Sequence, residues 1–327
     1  MSAGYEFVPL PDRVQRQERP QAIWHRRYPG ALSGVLRVRL RAEQDVHVGS
    51  GIKRLQDGKV VRKVVRMAVR IQDRPGIPGS SLKGVLRGRY EAITRSCVPQ
   101  KPPLGQMVSI RSSTGIRQAR LRLEDRSERY LKTECDDRQR CPACALFGRM
   151  SLRSRVAVQD LFCAGGEEFA IALLHAQFSP NLHHVGKPVR ARDRSGQEYF
   201  EVGSLHGRKF AVGVGPIADK AEKQWIEVIP AGSVVEGTIR LFNVLPAELG
   251  GLLAALGKIP ASALKIGGGK GRGFGRMRLD GIAYDLRDDA GKSAAADEAG
   301  WRAAFAGSDD RWQDGEQRLC EIHEGDC

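Results

Sequence analysis

The sequence predicts an α+β protein, a sheet-and-helix framework carrying long polar insertions, and three observations lead there. Apolar and charged residues alternate strictly in one stretch, two other stretches have helical period, and a cysteine cluster sits in a segment too polar to build its own core. The 327 residues suffice for one large domain or two ordinary ones. Hydrophobic residues are 41% and charged residues 28%, the balance of a globular chain. No apolar run nears the roughly 20 residues that span a bilayer. The N-terminus lacks the charged-then-apolar pattern of a signal peptide, so a cytoplasmic protein without a membrane partner is expected.

Residues 1–33 read as an extended N-terminal arm, because Pro9, Pro11, Pro20 and Pro29 break any regular element. Leu36, Val38 and Leu40 then alternate with Arg37, Arg39 and Arg41, a half-buried strand with an outer row of arginines. A basic loop follows, with Lys53, Arg54, Lys59, Arg62, Lys63 and Arg66. The run Ile77-Pro-Gly-Ser-Ser-Leu-Lys-Gly84 opens a helix to about residue 96, with Ser80 or Ser81 at its N-cap and Leu82, Val85, Leu86 and Ile93 buried. Residues 97–145 are polar, arginine-rich and read as an insertion, and residues 155–162 return to strand character. Residues 177–222 carry His183, His184 and several cations without clear period, which suits a protruding loop or hairpin. Residues 228–244 are strand material, residues 246–259 a helix, and a glycine-rich turn leads to a last strand through Tyr284. This is the rhythm of a ferredoxin-like sheet with long insertions. Residues 287–327 form an acidic C-terminal tail whose Trp301, Phe305 and Trp312 suit either docking on a neighbouring subunit or a small helical appendage.

Charge narrows the partner. The chain holds 53 Lys+Arg against 38 Asp+Glu, a net +15. The tail has 11 Asp/Glu and 5 Lys/Arg, so residues 1–286 hold 48 cations against 27 anions, a net +21. So basic a body favours a polyanion, and nucleic acid is the first reading. The arginine row, taken with the basic loop, fits nucleic-acid contact better than a merely solvated face.

Cys141-Pro-Ala-Cys144 is a C-x2-C knuckle, with Cys135 six residues upstream and Cys97 at the end of the helix. Four thiolates suit tetrahedral zinc in a structural role, since no position stays open for water. Free cytosolic thiols, or a site completed by Cys163, are the alternatives. Gly267, Gly268, Gly269, Gly271, Gly273 and Gly275 let the backbone approach a ligand, with Lys270 and Arg272 supplying charge. The run is neither a P-loop nor a dinucleotide fingerprint, because no Gly-Lys in it precedes Ser or Thr and it runs from helix to strand. No nucleophile triad assembles; His47 lies beside glycines where it can touch a phosphate or serve the structure. Asp57 is the one isolated loop carboxylate that suits metal-dependent hydrolysis, although a turn at Asp57-Gly58 is the stronger reading of it.

Together, Val46-His-Val-Gly-Ser-Gly51, Ile77-Pro-Gly-Ser-Ser-Leu-Lys-Gly84, Cys144-Ala-Leu-Phe-Gly148 and the Gly267–Gly275 turn resemble the RAMP superfamily, in particular the backbone subunit of type III CRISPR effectors. The resemblance covers about residues 34–286 and implies an RRM-like palm, with the zinc insertion as fingers at 97–145 and a β-hairpin thumb at 177–222. It implies copies stacked along a guide RNA (crRNA) beside other effector subunits, with a complementary target, RNA for preference, kinked every six nucleotides in antiviral defence. By motif, Ser80, Ser81, Lys83 and Arg87 hold guide backbone, as do Gly268, Gly269, Lys270 and Arg272, with His47 beside them. Target-cleaving members place an aspartate in the loop before the Ile-Pro-Gly segment; here that position falls near Lys63, and Asp57 is six residues early. The resemblance thus implies a binding subunit that does not cut. The alternatives are a guided ribonuclease using Asp57 and Mg2+, and a metal-independent guide-processing endonuclease using His183 or His184.

Overall fold

The computed structural model describes residues 4–20, 26–56, 63–98, 107–112, 115–121, 135–165, 168–175, 189–192, 194, 196, 198–202, 207–213 and 224–323. The chain opens with strands β1 (Tyr5–Val8), β2 (Leu32–Ala42), β3 (Gly49–Gln56) and β4 (Lys63–Ala68). Short strands β5 (Arg70–Ile71) and β6 (Arg74–Ile77) lead into helix α1 (Gly79–Ile93). A hairpin of β7 (Met107–Ser112) and β8 (Gly115–Leu121) precedes α2 (Pro142–Phe147). Then come β9 (Val156–Val158), β10 (Leu161–Cys163), β11 (Ala170–Leu174), β12 (Val189–Arg192), β13 (Glu198–Val202) and β14 (Arg208–Ala211). The last third holds β15 (Gln224–Val228), β16 (Val234–Val244), α3 (Pro246–Ala255), β17 (Leu264–Lys265), β18 (Arg276–Arg287) and β19 (Ser293–Ala294). Two helices, α4 (Glu298–Ala306) and α5 (Gln313–Ile322), close it.

The α+β class holds, and antiparallel pairing dominates. The main sheet runs β17-β18-β2-β16-β10-β6-β5, with β9 and β19 added at its sides. Alternation puts Leu36, Val38 and Leu40 of β2 into the core and leaves Arg37, Arg39 and Arg41 outside. On the core side lies α1, whose Leu82, Leu86 and Ile93 share one cluster with those strand residues and with Leu249, Leu252 and Leu253 of α3. Each such fully buried leucine contributes on the order of 2 kcal/mol.

Helix α1 starts earlier than the serines suggest. Pro78 occupies the N-cap and Gly79 the first turn, where Asp160 accepts from the Gly79 amide at 2.7 Å. A side chain at Gly79 would strike the Val158 carbonyl oxygen at 2.2 Å, so only glycine fits against β9. Ser80 and Ser81 are therefore left on the first turn, without a capping duty.

Both chain ends are more ordered than composition implies. Ahead of Pro9, β1 pairs antiparallel with β14, two hundred residues away. In the acidic tail, Trp301, Phe305, Leu319 and Ile322 join the main core. Helix α4 closes on α3 at Gly250, where an added Cβ would lie 2.0 Å from the Trp301 carbonyl oxygen. Trp312 donates to the Pro9 carbonyl (3.2 Å) beneath Arg95. The tail is thus part of the domain's own packing. Cys320 in α5 is disulfide-bonded. Two buried bidentate pairs, Arg19–Asp310 and Arg155–Glu248, tie arm to tail and β9's start to α3.

Strands β12-β13-β8-β7 make a separate sheet in which β13 runs parallel to β8, so the cysteine-bearing insertion and the basic 177–222 segment share backbone pairing. A further sheet runs β11-β15-β4-β3. Asp57, His183 and His184 lie outside the described residues.

Candidate nucleic-acid interface

The four cysteines converge as their spacing predicts. Cys97 leaves α1, Cys141 and Cys144 flank the start of α2, and the backbone amide of Cys141 turns onto the Cys135 sulfur at 3.3 Å. All four sulfurs lie within 4.8 Å of one another. The Cys97 Sγ stands 3.6 Å from both Cys141 and Cys144 and 3.9 Å from Cys135. A tetrahedral zinc with bonds of about 2.3 Å wants sulfurs about 3.8 Å apart, so the donor set fits that metal. Hydrogen bonding with Cys141, Cys144 and Cys97 holds the Cys135 thiol well below its ordinary range. Cys163 sits on β10 against the main core, away from this cluster.

The cluster also fixes a wall of a cleft. Arg208 on β14 donates to the carbonyls of Ser96 (3.1 Å) and Cys97 (2.8 Å) and to Glu91 (2.9 Å). Between that β1–β14 ribbon, the open face of α1 and the glycine-rich turn lies a cleft of about 760 Å³. Ser80, Ser81, Gly84 and Gly88 form its helical side, Gly49, Gly268 and Lys270 its floor and edge, and Lys209 its far wall. A Cβ built on Gly84 or Gly88 meets nothing within 4 Å. Each glycine costs the helix about 1 kcal/mol against alanine. What they supply is bare backbone facing the cleft.

Cations collect there. Lys209 stacks on Tyr5, 3.6 Å above the ring, and Lys265 donates to the Gln44 side chain. Beneath the surface, Arg89 is fully buried, and among the described residues its guanidinium donates only to neutral acceptors: the Ala255 and Ala263 carbonyls, Ser262 and His323. Burial pulls the Arg89 pKa down to about 9, so it stays cationic at neutral pH. Burial likewise lowers Lys270 and Lys209. Among the described residues the one carboxylate in the lining, Glu91, is taken by Arg87 and Arg208. An anion entering this cleft meets unspent positive charge.

A family model of the RAMP superfamily matches residues 39–278, about three quarters of the chain. The chain belongs to that superfamily. It is a RAMP-family CRISPR-associated protein with an RNA-binding role. No curated protein matches its sequence.

Within this RAMP protein the sequence-derived residues divide. Ser80, Ser81, Gly268 and Lys270 come together in the cleft. His47 lies directly behind it: its carbonyl accepts from the Gly268 amide at 2.7 Å, and its Nδ1 donates to the Glu227 carbonyl at 2.7 Å. Lys83 is half-buried just outside the lining, its pKa lowered by burial and by Arg87. Arg87 is committed to Glu91 (2.8 Å) and the Gly148 carbonyl (3.0 Å). Gly269 turns towards Leu174 and Phe274, and Arg272 donates to the His175 carbonyl at 2.9 Å. Sequence reasoning missed Gly84, Gly88, Arg89 and the β1–β14 wall. The four-residue spacing of Ser80, Gly84 and Gly88 was the available signal for the helix face.

The arginine row of β2 faces the other way. Arg39 pairs with Glu236 at 2.9 Å, and Arg41 with Asp280 at 3.0 Å. Glu43 holds Arg276 (2.6 Å) and Arg278 (2.7 Å). These acids come from β16, β18 and the end of β2, so the outer face is a lattice of exposed pairs, each contributing about 0–1 kcal/mol. Among the described residues no helix is long and apolar enough to cross a membrane.

Proposed function

We propose that this protein is a guide-RNA-binding backbone subunit of a type III or type III-like CRISPR effector, and that the α1 cleft carries the guide's sugar–phosphate chain. The observation that carries this reading is the collection of Lys209, Lys270 and Arg89 around bare helical and glycine-rich backbone, with no free carboxylate in the lining among the described residues. Such a surface tracks backbone charge and leaves sequence choice to base pairing. In this account copies stack along the guide in the cytoplasm, with an RRM-like palm, the 97–145 insertion as fingers and a thumb within 177–222 that sets a six-nucleotide step on an RNA target. The four cysteines hold zinc in a purely structural role. The subunit binds its target without cutting, because lysine stands where target-cleaving relatives have aspartate.

The test is reconstitution of the full chain with guide RNA and an end-labelled complementary RNA, with and without magnesium. A stable guide–target complex with intact target is the expected result. Evenly spaced magnesium-dependent cuts, abolished in Asp57→Ala, would make the chain a guided ribonuclease instead. Metal-independent cleavage of the guide precursor, lost in His183→Ala or His184→Ala, would make it a processing enzyme.

A further inference from the structure

The imidazole of His47 is fixed in a way that a mere phosphate contact does not require. A carbonyl oxygen can only accept, so the 2.7 Å contact with Glu227 places the proton on Nδ1. In the neutral ring Nε2 is then an acceptor, aimed away from the Glu227 carbonyl. His47 is 7% exposed, and among the described residues no group donates to Nε2.

What covers Nε2 is an absence of side chains. A Cβ on Gly49 would lie 3.1 Å from Nε2, and a Cβ on Gly268 would lie 3.4 Å from Cδ2 of the same ring. Neighbouring Gly51, Gly267 and Gly269 adopt left-handed φ values of 83°, 87° and 71° and need glycine for their backbone; Gly49 and Gly268 are not among the positive-φ residues. Their bareness serves the space over the ring, and both line the cleft beside Lys270.

We propose that His47 Nε2 accepts a hydrogen bond from a ribose 2′-hydroxyl of the strand held in the cleft, and so distinguishes RNA from DNA. An acceptor nitrogen gains nothing from a phosphate oxygen, which carries no proton, whereas a 2′-hydroxyl is a donor that only RNA offers. A deoxy strand would desolvate Nε2 without replacing its partner, and an unsatisfied acceptor is penalised. This inference rests on RNA occupying the cleft, as proposed above.

The full-length protein is titrated with one fluorescent RNA strand and with its 2′-fluoro counterpart, which keeps RNA-like sugar pucker but has no 2′ donor. Wild type is expected to prefer RNA by about tenfold. His47→Phe, and Gly49→Ala, which leaves His47 in place and sets a methyl over Nε2, are expected to bind both strands equally. Lys270→Ala is expected to weaken both strands alike and keep the preference. RNA binding without preference in wild type, or a preference that survives in both His47→Phe and Gly49→Ala, overturns the role of His47 and leaves the RNA-binding reading standing. Failure of wild type to bind either strand overturns both.

Discussion

Two basic surfaces lie on this protein, and they differ in how their charge is spent. On the outer face of the main sheet, Arg39, Arg41, Arg276 and Arg278 all meet Glu236, Asp280 or Glu43. In the cleft on the helix side, Lys209 meets an aromatic ring and Arg89 meets carbonyls, a hydroxyl and an imidazole. The first surface is richer in cations along the sequence. Net charge announces a polyanion partner, but the placement of the opposing acids decides where it sits.

The largest expected effect comes from the support of the cleft wall. Because Arg208 hangs on the Ser96 and Cys97 carbonyls, loss of metal from the cysteine cluster should free β14 and leave the outer lattice intact. Structural zinc sites are worth about 10–16 kcal/mol in isolated peptides. Chelation, or Cys141→Ser, is therefore expected to lower the melting temperature sharply and to abolish RNA binding, with zinc content measured alongside. Retention of RNA affinity by a zinc-free chain would separate the two regions that this account joins.

Next in size is reversal of the cleft charge. Lys209→Glu with Lys270→Glu replaces attraction by repulsion at both sides of the opening and is expected to cost about a hundredfold in RNA affinity, with the fold unchanged by circular dichroism. A smaller, opposite effect is expected on the outer face. Asp280→Ala removes the partner of Arg41 and should raise non-specific binding by about two- to fivefold at low salt, an increase lost near physiological ionic strength.

The smallest effect is in pH. Burial lowers the pKa of Lys270 and of Lys209 below the usual 10.5. A base with a lowered pKa releases its proton as pH rises through that lower value, so the cleft, with Arg89 at about 9, loses charge while the exposed arginines of the outer face keep theirs. RNA affinity is expected to decline as pH rises from neutrality towards the ordinary lysine range at constant ionic strength, with proton uptake on binding seen by calorimetry. A flat profile would point to the arginine face.

How much of this was legible follows from sequence distance. The cysteine cluster was readable because thiol chemistry and local spacing constrain each other, with only Cys97 remote. Helix α1 and the glycine turn were readable from Pro, Gly and Ser signals, although the cap is Pro78 and not a serine. The β2 strand was plain from alternation. Its role was not, because Glu236 and Asp280 arrive from strands some two hundred residues later. The same distance hid β1, a four-residue strand whose partner is β14. Arg89 carries no local signal of burial, because Ser262 and His323, which its guanidinium meets, lie more than 170 residues later. Asp57, whose role separates a cutting from a non-cutting subunit, is addressed by the magnesium-dependent cleavage assay.

The central claim, that the cleft and not the arginine row binds RNA, is tested most directly by salt titration of three proteins. RNA affinity of wild type, Lys270→Ala and Arg37→Ala is measured from about 50 to about 200 mM salt, where a binder making several phosphate contacts loses orders of magnitude. Lys270→Ala is expected to bind about tenfold more weakly, with a log–log slope shallower by about one, while Arg37→Ala overlays wild type. A shallower slope in Arg37→Ala with Lys270→Ala unchanged would place the RNA on the outer face and contradict the account.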